Sequence, residues 1–224
     1  MRTVAAPAEV FAPFPDALPA TPAEARTFRR SVPGAVAHVG SAATERRLRS
    51  ALASGAVVHV ATHGVMNALN PLFSRLELAT NEAGASDDNG RLEVHELLEL
   101  HFESPLVFLS GCETGLGASW STQFETGQDY TTIAQALLFA GARNVVATLW
   151  RIDDEGAAEF ARKFYAARQT LGAPEALARA QREMITDPRW RSPYLWAAYE
   201  VSGGGLEGFR TSQASRIKVS LGVR

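Results

Sequence analysis

The sequence predicts an α/β fold, a three-layer αβα sandwich around a mostly parallel sheet. Three short runs at 57–62, 106–109 and 144–149 carry that reading, each apolar almost without a break. Strict alternation marks a strand with one wet face, so unbroken runs suit strands covered on both faces, as in parallel sheets. Helix-length segments with recognisable ends separate or follow these runs, and strands alternating with helices build layers. The chain's 224 residues, 46% hydrophobic and 21% charged, suffice for one compact domain with a filled core.

The elements can be justified in order. Six of the eleven prolines (Pro7, Pro13, Pro15, Pro19, Pro22, Pro33) fall within the first 33 residues. Proline has no N–H to give a sheet, so residues 5–20 are expected as an extended arm or edge segment rather than a central strand. The organisation expected is a Pro-rich arm over 1–20, a folded domain over 21–205 and an unassigned tail over 206–224. A first helix starts at Thr21-Pro22-Ala23-Glu24, where Thr can cap, Pro suits the first helical position and Glu can close a capping box. A second helix is expected from Thr44 to Ala53, before Ser54-Gly55. Residues 76–78 and 91–94 read as a hairpin with a polar tip from Asn81 to Gly90. A Gly/Ser/Thr-rich loop over 113–129 directly follows the central apolar run, and loops of that length are usually functional. Helices are expected from Asp129 to Ala140, from Asp154 to Leu171, and after Pro174 through Leu177, Ala180 and Met184. Tyr194 to Val201 reads as a last strand before Gly203-Gly204-Gly205.

Composition excludes several functions. Lys plus Arg (22) against Asp plus Glu (24) leaves a net charge of −2, without the basic excess of an electrostatic nucleic-acid binder. No stretch approaches 18 consecutive apolar residues, so no transmembrane helix is expected, and prolines interrupt the N-terminus before a signal-peptide run forms. Cys112 is the one cysteine, which excludes an internal disulfide and a zinc site built on two or more thiolates. A cytoplasmic, reducing compartment fits that usage. Neither a cofactor nor a metal is expected.

In open parallel sheets the ligand crevice lies beyond the carboxyl ends of the strands. Those ends are His63-Gly64 after the first run, Ser110-Gly111-Cys112-Glu113 after the second, and Trp150-Arg151-Ile152-Asp153-Asp154 after the third. If the strands are neighbours, an imidazole, a thiol and two carboxylates share one rim, a Cys–His nucleophilic constellation with an acidic subsite. The backbone N–H groups of Gly64 and Cys112 would form an oxyanion hole, and His63 would carry the proton. Plainer readings stand beside this one. Free cysteine is among the most buried residue types, a strand-end histidine is often only structural, and Asp153 and Asp154 would equally serve as helix caps. His59 lies inside its strand and reads as core or sheet face, with His38, His95 and His101 structural by default. Gly111, Gly115 and Gly117 match neither the dinucleotide fingerprint nor the phosphate loop, and no nucleophile elbow or metal-ligand spacing is present.

Segments 58–64, 109–117 and 136–150, with 193–199, resemble the CHAT family of caspase-like cysteine proteases of clan CD, and the likeness runs from about Leu18 to Gly204. The resemblance implies a caspase/hemoglobinase-like fold. It also implies that His63 and Cys112 are a catalytic dyad hydrolysing peptide bonds through an acyl-enzyme. It further implies that Asp153 or Asp154 binds a basic side chain before the cut, and that the setting is regulated, in bacterial signalling or defence. The partners implied are a protein or peptide substrate and an activating or recognition protein, with no nucleic acid or membrane. Two departures are expected: a missing first strand, since 1–20 is Pro-rich, and no helical repeats ahead of the domain. The other reading is a catalytically silent interaction module of the same fold.

Overall fold

The computed structural model describes residues 6–67, 69–80, 88–110, 133–150 and 152–204. Its main sheet has six strands: β1 (Ala8–Ala12), β2 (Val36–Val39), β3 (Val57–Ala61), β7 (Val107–Ser110), β8 (Asn144–Thr148) and β9 (Tyr199–Gly203). They lie in the order β2-β1-β3-β7-β8-β9, and all pairs are parallel except β8 with β9. A second sheet, β4 (Gly64–Val65), β5 (Arg75–Glu77) and β6 (Arg91–Glu93), is antiparallel and begins one residue after His63.

Alternate residues of each interior strand feed two cores, which explains the unbroken apolar runs. On one face Val58, Val60, Val107, Leu109 and Val145 pack with α2 (Glu45–Ala53), α3 (Val94–Glu99) and α4 (Ile133–Ala140). On the other, Val10, Phe108 and Val146 pack with α1 (Thr21–Ser31), α5 (Asp154–Arg168) and α6 (Ala173–Thr186). Phe160 lies flat on Tyr199 with ring centroids 3.7 Å apart, joining α5 to the last strand. The layers are thus αβα, as expected.

Several elements differ from expectation. The N-terminal segment is not an arm: Ala8–Ala12 is the second strand of the sheet, hydrogen-bonded to a parallel neighbour on each side. Pro7 and Pro13 bracket this strand without entering it, so no ladder N–H is lost. The expected missing first strand is therefore present. At α1 the cap position is Ala20, with no side-chain cap. Thr21 Oγ1 instead donates to the Leu18 carbonyl at 2.8 Å, and Glu24 turns into the core rather than closing a capping box. Residues 194–196, expected at the start of the last strand, belong to a short helix, α7 (Pro193–Trp196), and β9 starts only at Tyr199. Proline at the first helical position favours that turn. The second helix, expected from Thr44, starts at Glu45, and Thr44 caps it, its side chain accepting from Arg47 N.

Candidate active site

The chain runs from β1 outward to β2 and then returns to place β3 on the other side of β1, so the switch point of the sheet lies between β1 and β3. The ligand crevice of such sheets opens there, beyond the carboxyl ends. Phe14, just past β1, and His63, just past β3, meet across it with ring centroids 5.7 Å apart. His63 is half-buried and firmly placed by its backbone. Its carbonyl accepts from Glu77 N at 3.0 Å, and the hydroxyl of the preceding Thr62 donates to the Glu77 carbonyl. Gly64 opens β4 opposite Leu76.

The expected neighbours are neighbours. Ala61 pairs with Ser110 across β3 and β7, and Thr62 N donates to the Ser110 carbonyl at 3.1 Å. The end of β8, at Thr148, follows on the other side of β7. Cys112, its backbone N–H and the 113–129 loop lie outside the described residues, as does Arg151.

A small pocket opens at these strand ends. Thr62, His63, Ser110 and Thr148 line its sheet side, and Leu18, Ala20, Ile152 and Ala157 supply apolar walls from the segments entering α1 and α5. Two carboxylates line it as well, Asp154 and Glu24, and none of the described lining residues is Lys or Arg.

The two aspartates of the rim separate by role. Asp153 is the N-cap of α5, exposed, with Oδ1 accepting from Gly156 N at 2.8 Å. It is not among the described residues that line the pocket. Asp154 is, and its Oδ2 accepts from Ala20 N at 3.5 Å, tying α5 to the start of α1.

Sequence reasoning missed Glu24 as a site residue. It is only 2% exposed, although it bears a carboxyl group and sits in the first turn of α1. Its Oε1 lies 2.7 Å from His59 Nε2, out of line for a hydrogen bond, and has no hydrogen-bond partner. His59 is fully buried, as expected for a sheet-face residue. Its Nδ1 is 2.8 Å from the Tyr165 hydroxyl and its ring stacks on Phe108. Burial, then the charge of Glu24, pushes both Tyr165 and Tyr199 well above the usual phenol range. Of the remaining described histidines, His38 lies 2.7 Å from Glu9, His95 lies 2.8 Å from Glu93, and His101 is exposed. Glu93, His95 and Glu96 bring three ligand-type atoms together. However, Glu93 and Glu96 form the capping box of α3, and Glu96 also holds Arg49 at 2.6 Å.

The CHAT domain model matches residues 4–204. The chain belongs to the CHAT domain family. Tetratricopeptide repeat protein 28 of Mus musculus is 25% identical over 200 residues, covering 75% of this chain and 8% of that protein. The separase–securin complex of Saccharomyces cerevisiae superposes with a TM-score of 0.59 at 14% identity, covering 88% of this chain and 12% of that one. The Arg specific cysteine proteinase gingipain R superposes with a TM-score of 0.52 at 13% identity, covering 89% and 46%. At these identities the superpositions show the caspase-like fold. The chain spans less than half the length of each of these relatives. Among the described residues, no helix is long and apolar enough to cross a membrane.

Proposed function

We propose that this CHAT domain is a cysteine endopeptidase that cuts protein substrates after a basic residue, with Cys112 as nucleophile and His63 as proton carrier. The observation that carries the reading is the adjacency of two strand ends: His63 leaves β3 beside Ser110, and Cys112 follows Ser110 by two residues, a reach of at most about 7 Å. The pocket between α1 and α5 opens at the same ends. In this reading the Cys112 thiolate attacks the scissile carbonyl carbon, and the oxyanion that forms is held by the Gly64 and Cys112 N–H groups. His63 gives a proton to the leaving amine as the C–N bond breaks, leaving a thioester. Water, deprotonated by His63, then attacks the thioester, and the C–S bond breaks to restore the thiolate. Asp154 draws in the substrate cation while Asp153 serves only as cap. The Arg specific cysteine proteinase gingipain R shares the fold, which supports the preference by analogy. No cofactor or metal enters this chemistry.

The second reading is a non-catalytic interaction module, favoured by the match to a mammalian protein named for its tetratricopeptide repeats. One experiment separates them. Wild type, Cys112→Ala and His63→Ala are each incubated with a diverse peptide library and the products identified by mass spectrometry. Peptidase action gives cuts in wild type alone, concentrated after Arg and Lys. Identical product lists for wild type and Cys112→Ala refute it.

A further inference from the structure

The proline-rich start of the chain has no part in the chemistry proposed above, yet it leads directly to His63. β1 and β3 run parallel in a register that sets Val10 beside His59 and Phe11 beside Val60. Phe14 lies three residues beyond Phe11, and His63 three beyond Val60, so the two rings come level just after both strands have ended. Their centroids are 5.7 Å apart and their planes tilted by 31°, a favourable spacing for an aromatic pair. Among the described residues the His63 ring has no hydrogen bond or ion pair, and Phe14 is its one aromatic neighbour. A proton-carrying imidazole is ordinarily aimed by a third group that holds its second ring nitrogen. Without such a group, χ1 and χ2 leave the ring free to turn between rotamers unless packing stops it.

Phe14 is itself firmly held. Pro13 before it is buried, with φ locked by its own ring. Pro15 after it steers Phe14 away from helical backbone, and the Phe14 carbonyl accepts from Leu18 N at 2.8 Å. We propose that Phe14 is the positioning residue of His63: the Pro13-Phe14-Pro15 segment holds a flat ring against the imidazole and sets the direction in which it delivers its proton. This rests on the reading of His63 as proton carrier. Phe14 neither takes nor gives a proton, so it acts on the orientation of His63 and not on the bond changes. The rival role is a substrate contact, because Phe14 also lines a hollow with Leu78, Thr80 and Arg91. The two roles differ in what they change: loss of aim lowers kcat, whereas loss of a substrate contact raises KM.

The full chain is compared with Phe14→Leu, Phe14→Tyr and Pro15→Ala on the peptide that wild type cuts fastest. Phe14→Leu keeps apolar bulk without a flat ring, and kcat should fall by about tenfold or more with KM little changed. Phe14→Tyr keeps the ring and should restore most of the rate. Pro15→Ala leaves both rings in place and frees only the backbone of Phe14, so kcat should fall by less. A second readout needs no turnover. In the Cys112→Ala chain the carbon-bound ring protons of His63, assigned with His63→Gln, lie in the ring current of Phe14. Their NMR shifts should move in Phe14→Leu and stay in Phe14→Tyr. Wild-type kcat in Phe14→Leu overturns the proposal, as does a raised KM at unchanged kcat, or a His63 resonance that Phe14→Leu leaves in place. Urea melts check each variant. Should Phe14→Leu fail to fold, Pro15→Ala decides by the same kcat and the same resonance. If wild type cuts no peptide, the hydrolysis alone is refuted and the resonances decide whether Phe14 orients the ring, so the two claims fail separately.

Discussion

Replacing Asp153 by alanine tests the division of labour between the paired aspartates. The Asp153 carboxylate accepts from Gly156 N at 2.8 Å and so satisfies one of the orphan donors at the start of the 15-residue α5. Losing such a cap costs about 1 kcal/mol, and losing the negative charge at the positive end of the helix costs ~0.3–1 kcal/mol more. The sum is about 1–2 kcal/mol, or a fall in Tm of about 2–8 °C for a chain of this size. Asparagine caps as well as aspartate, so Asp153→Asn should recover the larger part. Asp154→Asn removes no cap and keeps an acceptor for Ala20 N, so it should lose only the helix-charge share of ~0.3–1 kcal/mol while binding of arginine amide weakens. Urea and thermal melts with a calorimetric titration of Nα-acetyl-arginine amide read both quantities. The reasoning fails if Asp153→Ala melts like wild type, or if it weakens the amide as much as Asp154→Asn does.

Gly141→Ala should be severely destabilising, by about 3 kcal/mol or more, because the glycine sits at φ +126° and an added Cβ would run into the Phe102 carbonyl oxygen. Soluble yield and the urea midpoint would show it, and a wild-type midpoint would refute the close approach. Alkaline pH should unfold the protein through Tyr165 and Tyr199, two of its four tyrosines. Their folded pKa values are raised, so the stability they contribute is complete below the unfolded value of about 10 and is lost as pH rises above it. Tyrosinate absorbance should then grow in two phases, the later one coinciding with loss of ellipticity; a single phase preceding unfolding would contradict the burial.

The interior of the sheet was legible because β3, β7 and β8 are covered on both faces, and covering leaves an unbroken apolar run. His59 was legible as a sheet-face residue for the same reason. The outer strands were not. β2 is four residues long and leaves Val36 and Val39 exposed at an open edge, so it shows little pattern. β1 was hidden by proline density over twenty residues, although the five residues between Pro7 and Pro13 contain no proline and carry Val10 and Phe11. Of the residues lining the pocket, His63 and Asp154 could be found from strand ends alone. Glu24 could not, because its first-turn place in α1 suits a capping acid as well as a buried one. Only its approach to His59, on a strand far along the chain, distinguishes the two. Asp153 was ambiguous until the Gly156 N–H was seen to occupy it.

Placing the first strand second from the sheet's border has a practical consequence for anyone trimming this protein. Ala8–Ala12 is the seam that holds β2 to β3. Cutting the chain back to Pro13 would strand β2 without a neighbour and leave β3 with a bare, apolar margin ready to pair with another molecule. It would also withdraw the anchor of Phe14, the residue that touches His63. A shortened form that begins after the prolines should therefore aggregate, and any shortened form meant to stay folded must start ahead of Ala8.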